Sequence, residues 1–380
     1  MNYRYVAALL ALVTVFAGVP APVAAADQTT QCTFPMTVTD ATGTEVNITD
    51  DPERVVTTNP SAAQTMWEIG AKDEVVGVSR YAMYLDGASD KTNVSGSNGL
   101  NVEVVIGLEP DLVLVPNSSY SADPDRIAQL RAANLSVVVF ESGESLEGVA
   151  NKTERIGRYT GNCDAGVERA DEMRTSIEHM EQALEGEERP VGLNSFFGYT
   201  SGAGTFISDV MTTAGLRNGA AEANITDFAQ INEELVVEMN PEYIVIPSHA
   251  QVPSGPAYNS TTAIQEGNVI VVENNKIQQP APRAIEASED IMNAVHPDAY
   301  ERYLALQNES AAGATDSTDS TDATDSTNET ATSEPTSENA TEAPETTATA
   351  EQTTESDAPG FGAVVSVIAL AAVVLFARFR

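Results

Sequence analysis

Two glutamates stand in the same sequence context and are the first candidates for a functional role. Glu103 begins the stretch EVVIGLEPDLVLVP (103–116), and Glu234 begins the stretch ELVVEMNPEYIVIP (234–247). The acids, the prolines and most apolar residues coincide, with Gly107 against Glu238 and Glu109 against Asn240 as exceptions. An acid at a helix start stabilises the macrodipole by about 0.3–1 kcal/mol. That role alone does not require the same acid in both copies.

The sequence contains none of the common catalytic motifs. It has no Walker phosphate loop, no G-x-S-x-G nucleophile turn and no Cys/His metal spacing. Its three histidines lie on distant segments, which argues against a zinc or manganese site of histidines and carboxylates. His249 follows a predicted strand and could ligate cobalt or iron, with a solvated loop histidine as the alternative. We therefore expect no enzyme activity.

Each copy of the repeat predicts a short amphipathic helix, a turn at proline and a buried strand. Val104, Val105 and Leu108 fall at helical spacing, and the residue before Pro110 is disfavoured in the helical conformation. The apolar run 112–115 is typical of a strand covered on both faces in a parallel sheet. Two such units predict two similar α/β lobes, with a chance likeness between ordinary units as the alternative.

Alternating strands and helices surround both repeats, which indicates parallel sheets with helices on both faces. Further strands are predicted at 54–58, 75–78, 136–140, 191–197 and 269–272, and further helices at 61–70, 127–133, 206–215 and 285–295. Between the lobes, helices are predicted at 145–159 and 165–184, the second with an apolar stripe. At ~1.5 Å per residue this second helix spans roughly 30 Å, about one domain width. A coiled coil is the alternative for that stripe.

The chain is strongly acidic, with a net charge of −37. Such a charge excludes nucleic acid as a partner, because phosphate backbones require basic surfaces. Residues 311–358 hold twelve acids and no base, and the remainder is acidic too. This balance is typical of halophiles, so we expect an organism of high salt, with an acidic protein of a mesophile as the alternative.

Composition divides the chain into segments. Residues 1–26 have the charged start, apolar run and small-residue cleavage site of a secretory signal. Residues 307–358 lack large apolar side chains and are expected to form an extended stalk. The apolar run before Arg378 and Arg380 is just long enough to span a membrane, with its end in the cytoplasm. The predicted divisions are a signal at 1–26, an N-terminal segment at 27–50, a first lobe at 51–142, a helical linker at 143–187, a second lobe at 188–306, a stalk at 307–358 and an anchor at 359–380.

The end of the chain resembles a known surface anchor. Pro359-Gly360-Phe361, followed by the apolar run and basic end, is similar to the archaeal PGF-CTERM signal. This resemblance implies a secreted protein held at the outer face of the cell membrane through its C-terminus, with the helix removed and replaced by a lipid. Asn-x-Ser/Thr sequons along the chain are candidate glycan sites, among them Asn47, Asn93, Asn134, Asn224 and Asn328. Outside the cell Cys32 and Cys163 could form one disulfide, with two free thiols as the alternative.

The segment 51–306 resembles the substrate-binding proteins of metal-chelate ABC importers. The resemblance lies in PERVV (52–56), VGVS (76–79), both repeats and Pro282-Arg283. It implies two Rossmann-like lobes bridged by one long helix, no resident cofactor, and a metal chelate as ligand. It also implies an ABC permease dimer and its ATPase subunits as partners. In that family a glutamate of each lobe docks into permease arginines, and the matching residues are Glu103 and Glu234.

The ligand is expected between the lobes, because open α/β sheets bind at the carboxyl ends of their strands. Loop aromatics there could stack on a flat macrocycle and hydroxyls could hold its amide rim. The candidate contacts are Ser61, Arg80, Tyr81, Tyr84, Ser97, Asn117, Tyr120, Phe197, Tyr199, Thr205, His249 and Arg283. An ordinary surface-loop role is the alternative for each.

A corrinoid such as cobalamin is the preferred ligand, and a ferric siderophore or haem is the alternative. Residues 76–84 are similar to the cobalamin-binding branch, in which a tyrosine at the position of Tyr84 lies against the corrin. Few bases, chiefly Arg80 and Arg283, line the predicted cleft, whereas an anionic siderophore would need more cationic donors. The chain departs from that branch at Gly96 and Ser97, where a tryptophan is common. Its only tryptophan, Trp67, is expected in helix packing.

Two other classes of function stay open. A chelatase-like enzyme has similar lobes and would need a titratable His/Glu pair in the cleft. A structural surface protein would show no stabilisation by a ligand.

Overall fold

Residues 32–318 are described by a computed structural model, with side-chain environments described through residue 312. The predicted signal, the anchor and all but the start of the predicted stalk lie outside the described residues. Across 32–318, no helix combines the length and apolarity that a membrane crossing needs.

The first lobe is built on a five-stranded parallel sheet with the order β5-β4-β3-β8-β9. Strand β8 lies between β3 and β9 and is buried along its whole length, as its apolar run predicts. The elements in chain order are β1 (Met36–Thr39), β2 (Glu45–Ile48), β3 (Val55–Thr57), α1 (Pro60–Glu68), β4 (Val75–Val78), β5 (Thr92–Asn93), β6 (Ser95–Gly96), β7 (Gly99–Leu100), α2 (Val102–Gly107), β8 (Leu112–Pro116), α3 (Asn117–Ala122), α4 (Pro124–Ala132) and β9 (Val137–Phe140).

Two antiparallel helices, α5 (Leu146–Tyr159) and α6 (Cys163–Ala183), follow β9. Leu146 and Val149 of α5 lie in the apolar core of the second lobe, whereas Ile156 and Tyr159 lie in that of the first. The resemblance implies one long bridging helix; in the structure α5 contributes to both cores, and the buried residues Ala170, Met173 and Met180 of α6 lie in the core of the second lobe. The pair is close at Gly157, where an added Cβ would lie 2.7 Å from the Cα of Gly166.

The second lobe is built on a four-stranded parallel sheet with the order β12-β10-β14-β15. The predicted α/β class with parallel sheets is therefore confirmed. The elements in chain order are β10 (Val191–Asn194), β11 (Tyr199–Ser201), α7 (Phe206–Thr213), β12 (Arg217–Asn218), α8 (Gly219–Glu222), β13 (Phe228–Gln230), α9 (Glu233–Met239), β14 (Tyr243–Pro247), α10 (Pro256–Asn259), α11 (Thr262–Glu266), β15 (Val269–Val272), α12 (Asn274–Ile277), α13 (Ala284–Val295) and α14 (Pro297–Thr318).

The N-terminal segment is part of the first lobe and not a separate piece. Strands β1 and β2 form an antiparallel hairpin whose Val38, Val46 and Ile48 enter the core of that lobe. Asp40 is buried, forms an ion pair with Arg131 at 2.5 Å and accepts a hydrogen bond from the amide of Val139. Burial opposes ionisation of Asp40, but hydrogen bonds from Thr42 and from backbone amides lower its pKa overall.

The second end of the fold also differs from the prediction. Helix α14 continues past residue 306, so the start of the predicted stalk is helical. Gln307 donates to Ser176 of α6 at 2.8 Å, and Arg302 donates to the carbonyl of Ala183 at the same distance. These contacts place α14 antiparallel to α6. Cys32 and Cys163 form a disulfide, which ties the N-terminal segment to the start of α6.

Candidate functional site

The two repeat helices begin in the same way. The side chain of Asn101 caps α2 by accepting from the amide of Val104 at 3.2 Å. The side chain of Asn232 caps α9 by accepting from the amide of Glu234 at 2.8 Å. Both asparagines stand two residues before the repeated glutamate, so the duplication extends upstream of the predicted stretch.

The repeat helices also end in the same way. Glu109 and Asn240, which differ in sequence, both adopt a left-handed backbone, with φ of 47° and 41°. Each precedes a buried proline, which disfavours the helical conformation before it. The acid after each proline accepts a hydrogen bond from the start of the neighbouring strand. Asp111 accepts from the amide of Arg54, just before β3, at 2.9 Å, and Glu242 accepts from the amide of Val191, in β10, at 3.0 Å. Glu109 and Asn240 therefore differ in side chain but have the same backbone conformation.

The helix cap, the left-handed residue, the proline and the acid after it are together named the shared frame. In both lobes this frame places the repeated glutamate, Glu103 or Glu234, in an equivalent position. Both lie in the first turn of their helix and both are exposed. Within residues 32–318 neither carboxylate has a cation within ion-pair distance. Val105 and Val236, at matching positions, are fully buried and fix the orientation of the two helices. The carboxylates are therefore held outward and remain open to a cationic partner.

Aromatic side chains gather at the carboxyl end of the second-lobe sheet. Phe197, which is 63% exposed and has a φ of 49°, lies 5.3 Å from His249 between ring centroids. Phe196 stacks on Tyr199 at 6.2 Å and meets the edge of Phe228 at 6.1 Å. The predicted contacts Phe197 and His249 therefore form one pair, and Tyr199 belongs to a second group with Phe196 and Phe228. Both groups belong to the loop surface at this end of the sheet, and such rings can cover a flat apolar ligand.

Phe228 is a member of this surface that the sequence reasoning missed. It is 56% exposed, although a buried phenylalanine is the usual expectation. The repeat could have indicated it, because Phe228 and the predicted contact Ser97 occupy equivalent positions. Phe228 stands as far before Glu234 as Ser97 stands before Glu103.

The first lobe presents a more polar surface. The guanidinium of Arg80 lies 5.9 Å from the ring centroid of Tyr81 and donates to the carbonyl of Gly96. Tyr81 is 65% exposed. Ser97 is exposed as well, but it lines a cavity of about 380 Å³ that also contains Glu103. Ser97 is thus associated with the candidate docking residue.

Two other predicted contacts, Asn117 and Tyr120, follow the carboxyl end of β8. Asn117 accepts a hydrogen bond from Ser142 at 3.1 Å. It lines a cavity of about 680 Å³ together with acidic side chains, among them Glu141 and Glu144. Tyr120 is half-buried and packs against the first-lobe core.

Ser61 and Thr205 are buried at helix starts and have structural roles. The hydroxyl of Ser61 accepts from the side chain of Asn59, which caps α1. Thr205 caps α7 by accepting from the amide of Ser208 and donates to the carbonyl of Gly202. Neither hydroxyl is open to a ligand in this structure, because both residues are buried and each hydroxyl already has a hydrogen-bond partner within the protein.

Tyr84 and Arg283 belong to a polar contact between the lobes. Gln64 of α1 donates to Tyr84 at 2.8 Å and accepts from the amide of Arg283 at 3.0 Å. The guanidinium of Arg283 pairs with Glu68 of α1 at 2.7 Å, and Arg169 of α6 pairs with the same carboxylate at 3.3 Å. Burial raises the pKa of Tyr84. Arg283 is therefore already neutralised within the protein.

Lys152 of α5 makes a second contact of this kind. Its side chain is fully buried, and its ammonium donates to the carbonyls of Ser142 and Pro280, which lie on either side of the helix pair in sequence. The ammonium also lies 5.8 Å from the ring centroid of Phe140. Burial, with a smaller contribution from Arg155, lowers the pKa of Lys152 to about 7. Gln64, Glu68, Lys152, Arg169 and Arg283 are named here the interlobe joint.

The described residues hold no grouping of three or more histidine, cysteine or acidic side chains suited to a metal ion. His296 is buried and contacts the carbonyl of Gly215, and His179 contacts Gln307 of α14. His249 is exposed and differs from both in facing an aromatic ring.

Comparison with known proteins agrees with this geometry. The family described as periplasmic binding protein matches residues 55–275. A cobalamin-binding protein of Halobacterium salinarum is 41% identical over 290 residues, which cover 72% of this chain and 78% of that protein. Residues 358–378 match the PGF-CTERM motif, which indicates a secreted protein anchored at the cell surface.

Solved structures show the same fold. The periplasmic vitamin B12-binding protein of Vibrio cholerae has a TM-score of 0.56 and 22% identity, covering 65% of this chain and 98% of that one. The periplasmic haem-binding protein of Roseiflexus sp. RS-1 has a TM-score of 0.59 and 22% identity, covering 65% of this chain and 99% of that one.

Proposed function

The chain belongs to the periplasmic binding protein family, and from that premise we propose that it captures a corrinoid outside the cell and delivers it to an ABC importer. The observation that carries this proposal is the 41% identity to a cobalamin-binding protein over most of both chains. The role is binding and release, without catalysis by this chain.

The exposed rings support a flat, largely uncharged ligand. Phe197 and Phe228 of the second lobe are exposed in a loop and a short strand, and Tyr81 of the first lobe is exposed in a short 3-10 helix after β4. Aromatic faces can lie against a corrin, and neighbouring polar groups can bind its amide rim. In this proposal these rings form the two walls of the pocket.

The charges disfavour an anionic chelate. Of the two arginines predicted in the cleft, Arg283 is paired with Glu68, which leaves Arg80. A catecholate or citrate siderophore needs several charge-assisted donors. Haem is the second candidate, because His249 is exposed beside Phe197 and its imidazole could reach an iron.

Delivery is proposed to use the two outward carboxylates. Glu103 and Glu234 would each pair with a cation on one half of the permease, while the ATPase subunits act inside the cell. The shared frame beneath them holds the two acids in equivalent orientations, which suits a partner with two related halves.

Titration calorimetry of the purified full chain in high salt tests the ligand. We expect saturable binding of cyanocobalamin and none of a ferrichrome-type siderophore or haem. Binding of haem alone would move the assignment to the second candidate, and binding of none of the three would refute the transport role.

Uptake of cyanocobalamin by cells tests the docking step. The pair Glu103→Ala and Glu234→Ala should abolish uptake while the purified variant keeps its corrinoid affinity. Glu181→Ala with Glu188→Ala makes the same change of charge at exposed positions elsewhere and should leave uptake unchanged. Loss of affinity in the first pair would contradict the division between binding and docking.

A further inference from the structure

Each repeat helix carries an exposed apolar side chain one turn after its glutamate. Ile106 follows Glu103 and is 37% exposed, and Val237 follows Glu234 and is 52% exposed. These two positions are equivalent in the duplication. Other large apolar side chains exposed in the described residues lie elsewhere, at Tyr81, Met83, Phe197, Phe228, Val252, Val271 and Leu304.

The same face of the helix points outward in both lobes. Val105 and Val236 are fully buried, and the following prolines, Pro110 and Pro241, are buried too. With these anchors fixed, positions three residues apart lie side by side on the helix surface. The acid and the apolar side chain therefore form one contiguous patch in each lobe.

Folding alone does not account for isoleucine and valine at these positions. β-branched residues lose rotamer freedom in a helix and rank below straight-chain residues in helix propensity. An exposed apolar side chain also gains little burial in the folded chain. On a strongly acidic surface a charged residue would be the ordinary choice.

The surface around Glu103 is also unusually open. An added Cβ at Gly107, which follows Ile106, would meet no atom within 4 Å, and its backbone is not left-handed. Neither packing nor backbone geometry requires a glycine there. Glu103 also lines a cavity of about 380 Å³, so a partner can approach this acid closely.

We propose that each lobe contacts the permease through a two-part footprint, in which the carboxylate pairs with a cation and the adjacent Ile106 or Val237 packs into an apolar recess beside that cation. This inference rests on the docking role proposed above. Complementary charge speeds encounter and sets orientation, whereas desolvated apolar contact slows dissociation. The occupant is a transmembrane permease surface that offers cationic and apolar groups side by side.

Replacement of the apolar pair by serine tests the footprint. Cells carrying the full chain with Ile106→Ser and Val237→Ser should take up cyanocobalamin at least tenfold more slowly, at equal amounts of surface protein. The purified variant should keep its corrinoid affinity and its thermal midpoint. Ile106→Leu with Val237→Leu, which keeps an apolar side chain, should restore uptake to within about twofold.

A matched control removes exposed apolar side chains elsewhere. Val271→Ser with Leu304→Ser should leave uptake unchanged. If the serine pair at 106 and 237 transports normally while the Glu103→Ala and Glu234→Ala pair does not, the footprint is wrong and the docking role stands. If neither pair impairs uptake, the docking role itself is wrong.

Discussion

The loops of the first lobe present Arg80 and Tyr81, whereas those of the second present Phe197, Phe228 and His249, although the helix–proline–strand unit beneath is the same in both lobes. Apart from the repeated exposed glutamate and the exposed apolar residue one turn after it, the shared features are buried or serve backbone groups. They are the helix cap, the left-handed residue, the proline and the acid that accepts from a backbone amide of the neighbouring strand. The differing features are exposed.

This difference separates what the fold fixes from what it leaves free. A buried valine or a proline is held by packing and by backbone geometry, so both lobes repeat it. An exposed loop side chain contributes little to stability and can be chosen for a ligand. The two lobes can therefore keep equivalent docking faces while they present unlike walls to one pocket.

The largest effect is expected at the interlobe joint, which decides whether the two lobes act as one unit. Lys152→Ala removes a buried side chain and leaves two carbonyls without their donor. The unfolding free energy should fall by about 3 kcal/mol. Denaturant unfolding in high salt measures it. An unchanged midpoint would show that the lobes are held together without this contact.

Lys152→Met isolates the charge of the joint. The pKa of Lys152 is about 7 in the folded chain and near its ordinary 10.5 when unfolded, so the unfolded chain alone holds the proton between these values. Raising the pH from about 7 to 10 should therefore stabilise the wild type relative to Lys152→Met, on the order of 1 kcal/mol per pH unit. A pH-independent difference would contradict this sign.

A smaller effect, on the affinity for cyanocobalamin, is expected at Phe228 and Ser97, where the pocket walls formed by the two lobes differ most. Phe228→Ala should raise the Kd for cyanocobalamin about tenfold, because one aromatic face is lost. Ser97→Ala, at the equivalent position of the first lobe, should change it less than about twofold, since that side chain shares a cavity with Glu103. Titration calorimetry compares the two variants. Equal losses would mean that both lobes contribute the same kind of wall.

The smallest effect tests the likeness of the frames. Asn101→Ala and Asn232→Ala should each lower the unfolding free energy by about 1 kcal/mol, because each removes a helix cap. The effects should add, since the caps lie in different lobes. Asn→Asp at either site retains an acceptor and serves as the control. Unequal losses in denaturant unfolding would show that the frames differ in energy despite their common geometry.

The sequence predicted the frame because its determinants are local. The apolar run 112–115 and Pro110 are sufficient to indicate a helix end and a buried strand. Where tertiary contacts decide, prediction was less accurate: the strand expected at 191–197 ends at Asn194, because the chain then turns and Phe196 and Tyr199 exchange backbone hydrogen bonds. Helix α14 continues past residue 306, the predicted end of the second lobe, for a similar reason. Its stabilising contacts are made with α6, which is distant in sequence.

The site was less accessible to sequence reasoning. From the sequence, Arg283 was expected to be a free cation in a loop. In the structure it pairs with Glu68, which lies far away in sequence. From the sequence, the hydroxyl of Ser61 was expected to be available to a ligand. In the structure Ser61 is buried, by packing that a single sequence does not reveal. Phe228 could have been found by extending the repeat upstream, whereas Lys152 carries no local signal of burial.

The course of α14 decides how mechanical load reaches the protein. Because this helix runs back along α6, the chain departs beside the helix pair and not from the tip of the second lobe. Tension from the membrane tether would enter through Arg302 and Gln307 and spread along a pair of helices shared by both cores. Drag at the cell surface would then move the molecule as a whole, without prising its two halves apart.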